Sequence, residues 1–306
     1  MNTQEWALII FTILSQMAVG SFLVLGVVHT YARRKAGDEA ADMLSDRALL
    51  VIGPVLILAM IASLFHLGSP LIAPRAVVNL GSSWLSREIL FGVLFVVVGG
   101  LFALMQWRKV GSFGLRSVIA WIAALIGVVF IISMTMVYMI PAQPAWNTWL
   151  TPVSFFTTTA LLGLFTIGAS YVFNYNYLKE RDPECGEEQC ALMYSVLRGI
   201  AIASILFLGM QLVTIPLYLV SLAGMGPAGV AAARMISEDY IILLAIQLSL
   251  LFLGAGVFAL FLYRYAAGTG REQVISRLAY GAFLFVLVGA VIGRYLFYAS
   301  HVRIGV

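Results

Sequence analysis

Charge, histidine and cysteine are scarce in this chain of 306 residues: Asp, Glu, Lys and Arg together make up 10% of it, with three histidines and two cysteines. So little charge over such a length excludes an ordinary soluble domain, in which roughly a quarter of the residues are charged. Long polar stretches are missing as well. The longest, 33–47 and 175–193, are too short to fold alone, so 1–306 reads as a single domain. Cys185 and Cys190, in PECGEEQC, have no histidine nearby, and two thiols cannot complete a tetrahedral zinc site. They read as free thiols, because the cytoplasmic side assigned to them below is reducing. No basic residue precedes the first apolar run, and Arg33, Arg34 and Lys35 follow it. That order is the reverse of a cleavable signal peptide and predicts a retained helix inserted N-terminus out.

What the chain has is apolar length, with 62% hydrophobic residues and a mean hydropathy of +0.99. A hydrocarbon core of about 30 Å needs about 20 apolar residues per helix. Stretches of that kind fall at 6–32, 48–68, 88–107, 116–140, 151–174, 194–222, 239–263 and 274–299. They are continuous runs, whereas barrel strands would alternate over short segments. The prediction is an all-α integral membrane protein, a bundle of eight transmembrane helices.

Orientation follows from the basic residues, which are retained in cytoplasmic loops. Of 18 Lys and Arg, thirteen fall at one set of helix ends: Arg33, Arg34, Lys35, Arg47, Arg108, Lys109, Arg116, Lys179, Arg181, Arg198, Arg264, Arg271 and Arg277. Arg75, Arg87, Arg234, Arg294 and Arg303 belong to the other set. Both termini are therefore expected on the periplasmic side of a bacterial inner membrane. The net charge of +4 then reports topology and carries no sign of nucleic-acid binding. On the outward side, 141–150 and 221–238 are nearly uncharged loops, and Trp84, Trp146 and Trp149 stand where an interfacial aromatic belt would. Such loops also suit docking of another subunit. Pro216 and Gln211 are expected to interrupt the sixth span, and Pro54 lies early in the second.

Against this background FHLGSPLIAPRAVVNLGSSWLSRE, residues 65–88, gathers ionisable groups between two spans. The topology returns the chain to one face, so His66 and Glu88 fall at one depth near the outer interface, with Arg75 and Arg87 beside them. Arg294, late in the last span, reaches the same level, and Gln16 in the first span is a further candidate. Each has a bland reading: His66 bonded to a loop carbonyl, Arg87 and Glu88 as interfacial charges at a helix start, Arg294 snorkelling to headgroups. Charges within a membrane cost about 2.5–3.5 kcal/mol each at a helix centre, so convergence of several favours a functional site. Quinol oxidation suits it: neutral imidazole accepts a proton near neutral pH and a partly buried carboxylate passes one to water. A haem bound by two histidines is not expected, since His29 is placed at the opposite face from His66 and His301. Electrons would leave to a centre in a partner subunit.

FHLGSP followed by SWLSREI, with the N-terminal ILSQMAVG and the terminal GRYLFY, resembles the DMSO reductase membrane anchor subunit (DmsC) family over essentially the whole chain. That family is more distantly related to the NrfD and polysulfide reductase anchors. The resemblance implies an anchor for a molybdopterin catalytic subunit and an iron–sulfur electron-transfer subunit on the periplasmic face, oxidising menaquinol in anaerobic respiration. It also links the positions of His66 and Glu88 to quinol binding. Arg87, Arg75, Gln16 and Arg294 rest on depth and chemistry alone, as possible quinol-site or docking residues. Two other readings remain open: a secondary transporter, which would place polar residues and broken helices near the midplane, and a passive assembly anchor without a quinol site.

Overall fold

The computed structural model describes the backbone of residues 3–66, 79–181, 187–266 and 272–302, with side chains in these ranges except at 3–5, 47, 66, 174–181, 187–190 and 272. Arg75, Cys185, Arg271 and Arg303 lie outside the described residues, as do the side chains of His66, Arg47, Lys179, Arg181 and Cys190. Every regular element among the described residues is helical: α1 (Thr3–His66), α2 (Trp84–Arg108), α3 (Phe113–Tyr138), α4 (Leu150–Arg181), α5 (Glu187–Ala223), α6 (Gly226–Arg234), α7 (Ile241–Leu251), α8 (Ala259–Tyr265) and α9 (Glu272–Ala299). Two π-helical turns, Met235–Asp239 and Phe252–Phe258, flank α7. Among the described residues, 7 helical stretches are long and apolar enough to cross a membrane, the first of them Trp6–Phe65.

The polar stretch 33–47, expected as a loop, is helical apart from one residue. Gly37 has φ 85° and ψ −179°, a conformation that costs a side-chain-bearing residue steric strain, and there the chain doubles back. His29 Nδ1 and Ser45 Oγ are 2.6 Å apart; along an unbroken helix, sixteen residues would span about 24 Å. Two limbs, 3–36 and 38–66, therefore lie side by side. Asp42 anchors the second limb, accepting from Arg116 at 2.6 Å and from Gln106 Nε2 at 2.9 Å, while Lys109 pairs with Asp46 at 2.9 Å. Gln106 Oε1 in turn accepts from Arg116 Nε at 3.0 Å, so the turn and the α2–α3 connection are clamped together.

Helix starts follow capping chemistry. Ser83 and Ser112 each turn a side-chain oxygen to the amide three residues on, satisfying a donor that the first helical turn leaves unpaired. The third span thus begins at Trp84 instead of residue 88, and Glu88 sits one turn inside it. Sequence expectations also change at the other end of the bundle. Residues 221–238, expected as a loop, fold into the end of α5, α6 and a π turn, and their Leu222, Ala232 and Ile236 pack with Ala145 and Leu296. Pro216 does not interrupt the sixth span: α5 continues through it to Ala223.

One close approach sets the packing. α1 lies along α4, and a β-carbon added at Gly20 would collide with the carbonyl of Thr159, while one at Gly163 would strike the backbone of Gly20. Inside a membrane, where apolar side chains gain little by leaving lipid, such small-residue contacts let helices approach and gain dispersion energy. Gly163→Ala is therefore expected to destabilise the protein by about 1–3 kcal/mol, read as a lower thermal midpoint in detergent. Gly100→Ala, where a β-carbon meets nothing within 4 Å, is expected to leave the midpoint unchanged or slightly raised.

Candidate functional site

The Gly20–Gly163 contact places the helical turns before it in register. One turn earlier on α1 stands Gln16; two turns earlier on α4 stands Phe155. Gln16 Nε2 donates to the Phe155 carbonyl at 3.1 Å, and its Oε1 accepts from Arg294 of α9 at 2.8 Å. Both ends of the amide are engaged, so its orientation is fixed. The Arg294 guanidinium lies 3.6 Å from the centre of the Phe155 ring and 5.4 Å from that of Phe297. Gln16 and Arg294 are buried, and among the described residues no carboxylate pairs with the arginine. Its positive charge is instead held by a hydrogen bond and two ring faces, the arrangement that a planar, weakly hydrated guanidinium suits better than an ammonium.

Beside this arginine lies a pair of phenols. Tyr138, at the end of α3, and Tyr298, late in α9, share a hydrogen bond of 2.7 Å, with the Thr12 hydroxyl in reach of Tyr298. Arg294 interacts electrostatically with both. Trp146 closes the group from the surface side, donating from Nε1 to the Phe297 carbonyl at 2.8 Å and standing edge-on to Tyr138. Trp146 is thus half-buried and packs against the core at this end.

Glu88 completes the cluster. It lies on the buried stripe of α2, Glu88, Gly92, Phe95, Gly99, Phe102 and Gln106, and interacts electrostatically with Tyr138 and Tyr298. Among the described residues it has no hydrogen-bond or ion-pair partner, although it is buried. Removing a carboxylate from water without a partner is costly, so packing alone does not explain its place here.

Of the residues singled out from sequence, Gln16 and Arg294 are in direct contact and Glu88 stands beside the same two tyrosines. Arg87 is elsewhere. Its Nε and NH2 donate to the carbonyls of Leu80 and Gly81 at 2.8 and 2.9 Å, and its guanidinium stacks on Trp84 at 4.2 Å. It fastens the entry into α2. His66 is the last residue of α1, and its side chain, like the whole of Arg75, is outside the described residues. Sequence reasoning missed Tyr138, Tyr298, Thr12 and Phe155. The signal for the tyrosines was available, since both end spans that run toward the same face as Arg294. Among the described residues no group of three His, Cys, Asp or Glu is arranged to hold a metal.

A second feature shares Arg294. A cleft, part of it open to the surroundings, runs between α4, α5, α7 and α9, on the side of Arg294 and Phe297 lined by Gln211 and Tyr218.

Comparison with known proteins identifies relatives over the full length. The family model described as DMSO reductase anchor subunit (DmsC) matches residues 1–300. The chain is 32% identical over 302 residues to the YnfH subunit of an anaerobic dimethyl sulfoxide reductase of Escherichia coli, covering 98% of this protein and 96% of that one. It is 29% identical to the C subunit of the anaerobic dimethyl sulfoxide reductase of Haemophilus influenzae, covering 100% of this protein and 98% of the relative. The corresponding C subunit of Escherichia coli is also 29% identical, over 98% of this protein and 96% of its own length.

The Gln16–Arg294 contact has a measurable signature. Gln16→Leu leaves the buried guanidinium without its acceptor and is expected to cost about 1–3 kcal/mol in unfolding free energy. Adding Arg294→Gln to Gln16→Leu is expected to recover much of that loss, because no uncompensated charge remains. Additive losses in thermal denaturation of the four proteins of the cycle would show that the two side chains do not depend on each other.

Proposed function

The chain belongs to the DMSO reductase anchor subunit (DmsC) family, and from that membership we propose that it oxidises menaquinol beside His66 and Glu88 and hands the electrons to an iron–sulfur subunit. It is a multi-pass protein of the bacterial inner membrane. Anchors of this family associate with the catalytic and iron–sulfur subunits of DMSO reductases, so the partners of this protein in the proposal are a molybdopterin subunit and an iron–sulfur subunit. The two limbs of α1 are taken as separate crossings, giving eight spans with both termini in the periplasm. The partners then dock on the periplasmic face, over the connections 141–150 and 221–238.

The observation that carries the proposal is Glu88: a buried carboxyl with no hydrogen-bond or ion-pair partner among the described residues, next to two hydroxyls and one turn inside the membrane helix. Helical register supports the pairing with His66. The second limb buries Ser45, Ala48, Ile52, Leu56, Ala59 and Ala62, and position 66 continues that stripe by one further turn. Position 66 thus falls in the register of that stripe at the end of its helix, and Glu88 is buried one turn into the next.

In the proposed reaction a quinol becomes a quinone with loss of two protons and two electrons. The imidazole of His66 takes the proton of one ring hydroxyl and the carboxylate of Glu88 that of the other, and each releases its proton to water on the periplasmic side. The electrons pass to the iron–sulfur partner on the same side. Protons and electrons therefore leave together, and the step moves no net charge across the membrane.

Two measurements test this. His66→Ala and Glu88→Gln are each expected to lower quinol-dependent acceptor reduction by about tenfold or more, while the assembled complex still accepts electrons from a soluble artificial donor. Wild-type quinol-dependent rates in both variants, with the complex intact, would refute the assignment, and loss of partner subunits alone would identify a passive anchor. In addition, gentle purification from native membranes is expected to bring a pterin-containing and an iron–sulfur subunit with this protein; its isolation alone would count against the docking.

A further inference from the structure

The cleft between α4, α5, α7 and α9 is separate from the Glu88–Tyr138–Tyr298 group, and Arg294 borders both. Its walls are mostly apolar, but a set of uncharged polar side chains lines it at membrane depth: Ser154 and Thr158 from α4, Gln211 and Tyr218 from α5, and Gln247 from α7. Glutamines inside a membrane helix are expensive unless bonded. Two of the lining residues are not fully bonded. Gln211 Oε1 and Arg294 Nε are buried and lack any hydrogen-bond partner among the described residues, although their side chains are each only 5% exposed. Gln247 is brought close to Arg294 because residue 293 is glycine; a β-carbon there would collide with the Gln247 amide.

The backbone is irregular on both sides of the same wall. One π turn, Met235–Asp239, contributes Ile236 to the lining, and the other, Phe252–Phe258, begins directly after Leu251, which also lines it. π turns inside α-helices cost hydrogen-bond geometry and recur at functional sites.

We propose that this cleft is a second binding site, taking the ring of a lipid-soluble quinone or quinol distinct from the molecule oxidised beside His66 and Glu88. The inference rests on the quinol reading above. Complementarity selects the ligand class. Arg294 Nε requires an acceptor and Gln211 Oε1 requires a donor, and a ring carrying oxygens on opposite edges, one or both as hydroxyl, supplies both. A fatty acid or phosphodiester head would satisfy the arginine and leave Gln211 unpaired. The opening and the apolar walls accommodate an isoprenoid tail.

The test uses the protein purified with its partner subunits in lipid nanodiscs, and a photoreactive azido-1,4-naphthoquinone with a short isoprenoid tail as the probe. Two classes of site are expected. Glu88→Gln weakens one class, and Gln211→Leu combined with Gln247→Leu weakens the other by about tenfold and removes photolabel from peptides spanning 211–219 and 244–251. If the leucine pair does not accumulate, Gln211→Asn, which withdraws the amide by one methylene, is expected to give the same loss. A single class of site sensitive only to Glu88→Gln overturns the second site and leaves the quinol reading standing. A phospholipid retained in the wild type and lost in the leucine pair, with no label in these peptides, also overturns it. Absence of any naphthoquinone binding to the wild type overturns both.

Discussion

The distance between α1 and α4 is set by two glycine backbones in contact, Gly20 against Gly163, and the polar arrangement at the N-terminal end of the bundle is built from that distance. A side chain at either position would hold the helices apart. The Gln16 amide would then fall short of the Phe155 carbonyl, and Arg294 would lose the acceptor that orients it. In water such a contact would add to a hydrophobic core that is stable without it. In lipid, where neighbouring apolar surface offers little contrast, van der Waals fit and a few interhelical hydrogen bonds supply most of the specificity.

The two ends of the bundle handle polar groups by different means. At one end Asp42, Asp46, Gln106, Lys109 and Arg116 form a network in which opposite charges meet and amides fill the remaining positions. At the other, Arg294 has aromatic faces and one amide, and Glu88 has nearby phenols without a direct bond. A single helix shows the contrast: the buried stripe of α2 begins at Glu88 and ends at Gln106, about 27 Å apart along the axis. The glutamine is fully bonded into the clamp, and the carboxyl at the far end is left available.

Much of the architecture was legible because a membrane simplifies the physics. Apolar length alone pointed to an all-helical membrane protein, and among the described residues 7 helical stretches are long and apolar enough to cross one, the first running from Trp6 to Phe65 where two spans were expected; the resemblance carried by HLGSP and SREI agrees with the family match over residues 1–300. The inward faces were not legible. When a helix such as Phe113–Tyr138 is apolar all round, periodicity no longer separates a buried face from one exposed to lipid, and the role of Tyr138 at its end was hidden. The turn at Gly37 was hidden by charge: 33–47 reads as a surface loop, yet its Asp42 and Asp46 are helical residues that grip Arg116 and Lys109. Arg87 shows the opposite error, since its place in a polar cluster suggested chemistry whereas its hydrogen bonds go to the backbone entering α2. Gln211 was visible in sequence only as an interruption, because its significance depends on an unpaired atom that composition does not reveal.

Gly37 also acts as a phase marker. One residue stands between the limbs of α1, so there is no slack in which the second limb could adjust its rotation about its own axis. Each residue advances a helix by about 100°. Lengthening or shortening the turn by one position would therefore swing the whole stripe from Ser45 to Ala62 away from its neighbours, and with it the angular setting of position 66. The azimuth of the last residue of the hairpin is thus fixed near its bend, at the far end of that limb, where Asp42 and Arg116 lock the turn in place.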